Sequence, residues 1–411
     1  MMKTKKFSLV ATTDRNLLWK ELTKRKKTLY SRDDDIRSPF ARDYTRILHS
    51  MAYRRLKHKT QVFFNINNDH ICTRMEHVNH VDSVSSTIAK ELGLNEELTK
   101  AISIGHDLGH APFGHHGEKV LSELSEEYLH KPFWHEQNGL RFVDDIELLE
   151  DNYRFNKNLD LTYAVRDGII SHCGEVDQNG LHPRNELIDL SDFISAGQYQ
   201  PATWEGCVVK LSDKIAYVGR DIEDAISLGF LNASEQEKLL KMARLNDQNV
   251  MNTTVIMHNM IIDICNTSSP ENGISLSKTF LEQINEIKKF NYEHIYGNKR
   301  LEPYMHYSKL VITEIFSILL DCYDDKHTFS ALESQLHYSP ILLKSFRSWL
   351  SKYCETDFIP SQYIEKGKIY DNEKIYGQLE SKKIYVQAII DYISGMTDHF
   401  AIDVFNELIT Y

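Results

Sequence analysis

From residue 39 to the end of the chain, apolar residues recur at helical spacing. Leu98, Ala101, Ile102, Gly105 and His106 follow an i, i+3, i+4, i+7, i+8 pattern. His77, Val81, Val84 and Ile88 repeat the rule, and Leu211, Ile215, Val218, Ile222 and Ala225 do so again. The punctuation agrees with the period. Ser38-Pro39 reads as an N-cap and first-turn proline opening a helix over 39–56. Gly93 closes a helix over 74–92, and Asn95 opens another over 95–108. Further helices are predicted over 115–129, 135–149, 162–172 and 204–228, and long periodic stretches follow at 247–267, 275–290, 303–323 and 375–395. The stretch QVFFNINNDHICTR, residues 61–74, places two extended runs around Asn67-Asn68-Asp69 and predicts a short hairpin. Residues 178–203 lack periodicity and predict a long surface loop. The expected class is all-α, with a small β-hairpin and a helical C-terminal extension.

Composition narrows the functional classes. The chain has 411 residues, 41% of them hydrophobic and 26% charged, as in ordinary globular proteins. Its net charge of −11 argues against non-specific nucleic-acid binding, though not against an anion held in a local basic pocket. There is no apolar run of membrane-spanning length, so no membrane partner is expected. The opening MMKTKKFSLVATTDRN is basic, but its apolar stretch is too short and broken for a secretory signal. Six scattered cysteines without a CxxC predict reduced thiols and a cytoplasmic location.

The densest chemistry lies in HDLGHAPFGHHGE, residues 106–118, with four histidines and two acids. His106 falls on a buried stripe, and His77 falls on the buried stripe of the preceding helix. Either histidine alone is compatible with a hydrogen-bonded core residue. Asp107 beside His106 is costly to bury unless a charge compensates it, and a divalent cation supplies that charge. Two histidines with one or two carboxylates suit Mn, Fe, Zn, Ni or Co better than Ca. A further ligand must come from elsewhere. Asp213, Tyr217 and Asp221 form an i, i+4, i+8 row beside the apolar stripe of their helix, which spacing alone reads as either a solvated face or a ligand row.

The combination of His77, His106-Asp107 and Asp213 resembles the signature of the HD-domain phosphohydrolases. The surrounding text is similar to the deoxynucleoside triphosphate triphosphohydrolase, or dGTPase-like, family. The similar segments are residues 32–63, TRMEH (73–77), HDLGHAPFGHHGE (106–118), WHEQNG (134–139), DGIISHCGE (167–175), KLSDKIAYVGRDIEDA (210–225) and DYISGMTDHFA (391–401). The resemblance implies a helical HD fold with an N-terminal extension over 1–30 and a catalytic core over 31–234. A helical region over 235–411 would pack on that core and complete the nucleotide pocket. It implies His77, His106, Asp107 and Asp213 as ligands of one divalent metal, Mn first, with Mg, Fe, Co, Ni or Zn as alternatives. It further implies His115 as the catalytic histidine, Glu118 as the acid orienting it, and His135 as a further active-site histidine. Arg74, His110 and Lys214 match phosphate-contacting positions, while Gln61, Tyr217 and Asp221 match positions near the deoxyribose. Where the family often has a small residue and an acid after its first ligand, this chain has Val78-Asn79-His80.

The expected reaction is hydrolysis of a dNTP, dGTP or a broader set, to a deoxynucleoside and inorganic triphosphate. Residues 37–74 suit a polyanion: eight Lys or Arg (Arg37, Arg42, Arg46, Arg54, Arg55, Lys57, Lys59, Arg74) stand against Asp43 and Asp69. Arg74 lies one helical turn before His77, with planar donors matched to phosphate oxygens. His115 would either protonate the leaving 5′-oxygen or orient the attacking water, with Glu118 at i+3 holding its ring. Two other functions share these residues: an HD phosphohydrolase of ppGpp-like or cyclic nucleotides, and a dNTP-binding sensor with little turnover. The expected partners are the dNTP, a second dNTP as allosteric activator, and further copies of the chain in a dimer, tetramer or hexamer.

Overall fold

Helices dominate the computed structural model, which describes residues 5–27, 35–64, 70–173, 178–243 and 253–409. The chain divides into two compact units of interleaved segments. One comprises Met1–Leu48, Gln61–Asp107 and Asp160–Tyr304; the other comprises His49–Thr60, Leu108–Leu159 and Met305–Tyr411.

The first unit is organised around three helices whose ends are set by local chemistry. The Arg74–Leu92 helix opens with a reciprocal box: the Thr73 side chain accepts from the Glu76 N–H, and Glu76 accepts from the Thr73 N–H. It closes at Gly93, whose φ of 85° is in the left-handed region. Asn95 then accepts from the N–H groups of Glu97 and Leu98, which starts the Glu96–Gly105 helix at once. Thr203 caps the Trp204–Ser227 helix through the Gly206 N–H. These helices pack on one another and, further on, against the Thr253–Thr267 and Lys278–Asn291 helices. Val84, Ile88, Val208, Leu211, Ile215, Val218 and Ile222 are buried in that core. Fully burying such a side chain contributes about 1.5–3 kcal/mol, so this packing, more than helix propensity, holds the unit together.

In the second unit the Gly114–Leu129 helix packs on the Lys382–Ser394 helix, with Pro340–Leu350 and Asp398–Ile409 beside it. Its sheet has three short strands. β1 (Leu148–Glu150) pairs antiparallel with β2 (Phe155–Asn158), and β2 pairs parallel with β3 (Ile369–Tyr370). Among the described residues no helix is long and apolar enough to cross a membrane. No disulfide joins the six cysteines.

Three local expectations are corrected. The helix predicted over 39–56 is broken at Ser50, which is extended (ψ 153°) and caps a new turn, Met51–Arg55, through the Tyr53 N–H. The helix predicted over 135–149 is α-helical only to Arg141. A wider turn, Phe142–Ile146, follows, and Glu147 is already extended. The buried Glu147 carboxylate is held by the Ala52 N–H at 2.9 Å and by Arg55 at 2.6 Å, contacts a continued helix could not reach. An antiparallel hairpin follows at 148–158. The turn proposed at 67–69 lies outside the described residues, and its flanks at 61–64 and 70–72 form no strand. The 178–203 segment is irregular, with one 3₁₀ turn at Leu190–Asp192 and an isolated bridge from Leu181 to Ile274. The periodic stretch at 375–395 is helical only over Lys382–Ser394, because Ser381 caps it.

Candidate active site

In the first unit, His77 sits in the opening turn of the Arg74–Leu92 helix, above the buried Val81 and Val84. His106 caps the C-terminus of the Glu96–Gly105 helix, and Asp107 follows it; both side chains are buried. Asp213 reaches them from the middle of the Trp204–Ser227 helix. The His77 Nε2 lies 2.9 Å from Asp213 Oδ1 and 3.9 Å from Asp107 Oδ2. The His106 Nε2 lies 3.4 Å from Asp107 Oδ1 and 3.8 Å from Asp213 Oδ1. These side chains, with His172, form two overlapping groups that share His106: His77, His106 and Asp213 in one, His106, Asp107 and His172 in the other. His80 is half-buried and takes no part in this cluster.

The tautomer of His106 is set from behind. Its Nδ1 lies 2.6 Å from the Ser103 carbonyl, which can only accept, so Nδ1 carries the proton. That leaves Nε2 as a bare lone pair, buried and without a hydrogen-bond partner among the described residues. A buried acceptor left in this state costs about 1–3 kcal/mol. A cation removes that cost, and the backing carbonyl is the usual support for a metal-bound imidazole. The carboxylates offer the compensating charge. Burial works against the charged form of Asp213, yet the hydrogen bond and electrostatic pull of His77 lower its pKa overall. The donor set therefore fits a divalent metal.

Arg74 is buried and donates to Asp107 Oδ2 at 2.9 Å, with a longer contact to the Gln61 carbonyl at 3.5 Å. Its guanidinium therefore fixes the carboxylate that would face the metal, a role that spacing did not suggest. Lys214 and Asp221 are buried and Tyr217 half-buried on the Asp213 helix, so this row faces inward. Asp221 accepts from the Tyr296 hydroxyl at 2.5 Å. Gln61 is buried with its Oε1 lacking a partner among the described residues. His172, left without a role by the sequence reading, stands with its ring 4.9 Å from that of His106, edge to face. Its Nδ1 rests on the Ile169 carbonyl at 2.6 Å, the same backing arrangement as in His106. The only hint was its position inside DGIISHCGE.

The second unit holds a cluster built on Glu118. Its Oε1 accepts from the His135 N–H at 2.9 Å and lies 3.1 Å from His135 Nδ1. Its Oε2 lies 3.4 Å from His115 Nδ1 and 3.9 Å from His110 Nδ1. The rings of His110 and His135 are stacked at 3.8 Å. The i+3 spacing predicted the His115–Glu118 pair; the shorter contacts to His135, 17 residues away, it could not show. Burial alone would raise the Glu118 pKa. The positive potential of His135 and the hydrogen bonds from His115 and His135 overcome it and hold the group well below the usual carboxylate range. His110 and Glu118 are enclosed, whereas the His115 side chain is 59% exposed.

The turn that carries these residues is tightly supported. A Cβ on Gly109 would lie 2.1 Å from the His135 carbonyl oxygen, so only glycine allows the chain this close to the His135–Arg141 helix. Asn138 donates to the Gly109 carbonyl at 2.7 Å, and buried Lys59 donates to the His110 carbonyl. Phe113 takes φ 65°, a left-handed conformation, and its N–H donates to Asp398 at 2.9 Å. Asp398 also accepts from the Thr60 N–H, tying the C-terminal part of the unit to this turn.

Helices that bring a His, a His-Asp pair and a distant Asp to one point define the HD class, and residues 74–217 match the HD domain model. Three proteins named deoxyguanosinetriphosphate triphosphohydrolase-like align over most of the chain. That of Caldanaerobacter subterraneus subsp. tengcongensis is 33% identical, over 91% of this chain and 86% of its own. That of Desulfatibacillum aliphaticivorans is 36% identical over 74% and 80%, and that of Clostridium tetani 31% identical over 91% and 86%. The chain belongs to the deoxyguanosinetriphosphate triphosphohydrolase-like family of HD-domain phosphohydrolases.

Proposed function

We propose that the protein hydrolyses deoxynucleoside triphosphates, dGTP or a broader set, to deoxynucleoside and inorganic triphosphate. The observation that supports this reading is the grouping of His77, His106 and Asp213, with Asp107 beside His106 and the His106 Nε2 left without a hydrogen-bond partner among the described residues. A divalent cation held by His77, His106, Asp107 and Asp213, Mn before the alternatives, would supply Lewis acidity toward a phosphate oxygen and an attacking water. Arg74 keeps Asp107 in place, and Lys214, buried next to Asp213 on the same helix, adds positive charge. Tyr217, Asp221 and Gln61 offer polar contacts for a sugar. Water adds to the α-phosphorus, the bond from α-phosphorus to the 5′-oxygen breaks, and the 5′-oxygen takes a proton. His115 is the proton donor, and the Glu118 carboxylate keeps that proton on the ring; His110 and His135 complete the cluster. A positioned acid of this kind contributes about 10²–10⁴ in rate. A second dNTP as activator and a homo-oligomeric assembly belong to the same reading.

The test is one assay: purified protein with each dNTP and with Mn, Mg and Co in turn, the products separated by chromatography. Deoxynucleoside together with triphosphate is the expected outcome. Pyrophosphate release, or tight dNTP binding without turnover in any metal, would overturn the reading. The His115→Ala variant should keep its metal and lose most turnover.

A further inference from the structure

Within the second unit lies a cavity of about 370 Å³ that none of the residues assigned above lines. Its volume is in the range of small-molecule sites. The three-stranded sheet, the Pro340–Leu350 helix and the Lys382–Ser394 helix all contribute to its wall. The wall is two-faced. Phe142, Trp349, Tyr353, Tyr370 and Tyr392 supply rings, and Arg55, Lys352 and Lys368 supply positive charge.

The state of each charge defines what the cavity can hold. Lys368 is matched by Glu365 at 2.7 Å. Asp391 is matched by Arg141 at 2.7 Å and also accepts from the Tyr376 hydroxyl. Glu147 is matched by Arg55 at 2.6 Å. Lys352 remains. Its ammonium makes no hydrogen bond and no ion pair among the described residues, and its Nζ lies 6.0 Å from the Tyr370 ring centroid. Burial lowers its pKa and outweighs the through-space pull of Glu365 and Glu147, which are already paired with Lys368 and Arg55. The Arg55 Nε is also buried without a hydrogen-bond partner among the described residues. A cation with no carboxylate bonded to it, facing a wall of rings, suits a flat molecule with one anionic group. It does not suit a triphosphate, whose several charges would exceed what the wall balances.

We propose that this cavity is a second ligand site, taking a planar aromatic ring that carries a single phosphate, with the phosphate on Lys352 and the ring between the aromatic side chains. Two sources share that chemistry, a nucleoside monophosphate and a non-nucleotide aryl phosphate.

The test is calorimetric titration of the full chain with phenyl phosphate, a purine deoxynucleoside monophosphate, inorganic phosphate and a non-hydrolysable dNTP analogue. At least one aromatic monophosphate should bind, and which of the two binds more tightly identifies the source. Inorganic phosphate should bind at least about tenfold more weakly, because it gains nothing from the rings. Lys352→Gln should weaken the aromatic monophosphate about tenfold while Lys352→Arg retains it, and neither should change the rate of dNTP hydrolysis. Three results would overturn the proposal: no binding by the native protein, binding unchanged in Lys352→Gln, or binding lost in Asp213→Ala but kept in Lys352→Gln. The readout is binding, so it stands or falls independently of turnover.

Discussion

Glu118→Gln is the most informative single change, because it keeps the shape of the side chain and removes only its charge. Glu118 takes two contacts from His135, at 2.9 and 3.1 Å, and one from His115 at 3.4 Å. A hydrogen bond to a charged group contributes about 1.5–3 kcal/mol against about 1 kcal/mol for a neutral one, so the substitution weakens each of these contacts by roughly 1–2 kcal/mol. The sign follows from Glu118 itself. Its folded pKa is held well below 4.5, so its interactions are fully present above the ordinary carboxylate pKa and are lost only as pH falls through the lowered value. Between pH 5 and 9 Glu118 is a constant negative charge, so its own titration puts no step in the native rate there. In Glu118→Gln turnover should fall by about 10²–10⁴ across that window, the contribution of a positioned acid. The assay is triphosphate release against pH, with bound metal measured on the same samples and expected to be unchanged. A variant with the native rate across that window would refute the assignment of Glu118 as the group that positions the histidines.

Asp213→Ala should lose bound metal on elemental analysis and keep its fold. Asp107→Ala should lose metal too, and should also be less stable by about 3–5 kcal/mol in denaturant unfolding, because it leaves the buried Arg74 guanidinium without its partner. Equal stability of the two variants would contradict that pairing. Asp224→Asn tests burial. Desolvation raises the Asp224 pKa from 3.8 to about 6, so the native protein loses stability as pH rises through that window. The amide still accepts from the Cys72 N–H, and the variant should melt higher than native at pH 8, by no more than about 3 kcal/mol after allowance for solvent screening, and not at pH 3.5. Gly109→Ala should cost about 1–3 kcal/mol or more, since its Cβ meets backbone rather than a movable side chain, and should reduce hydrolysis by displacing His110; a native melting curve would show that the turn can give way.

Helix positions, their caps and the stripes bearing His77 and His106 were legible in the sequence, because a 3.6-residue period and a capping side chain are local facts. So was the pairing of His115 with Glu118, one turn apart. Breaks in that period were not. Ser50 starts a new turn by a local cap on Tyr53 that the helical period masked, whereas Glu147 leaves its helix to meet Ala52, 95 residues away. Whether Asp213 faced solvent or a ligand was left open by its spacing, since an i, i+4 row looks the same on either side of a helix; the packing of the Trp204–Ser227 helix decided it. The interleaving of the two units, the Arg74 hold on Asp107, the His135 contact to Glu118 and the cavity around Lys352 join residues tens to hundreds of positions apart. Local periodicity sets which face of a helix turns inward; only the fold sets what that face meets.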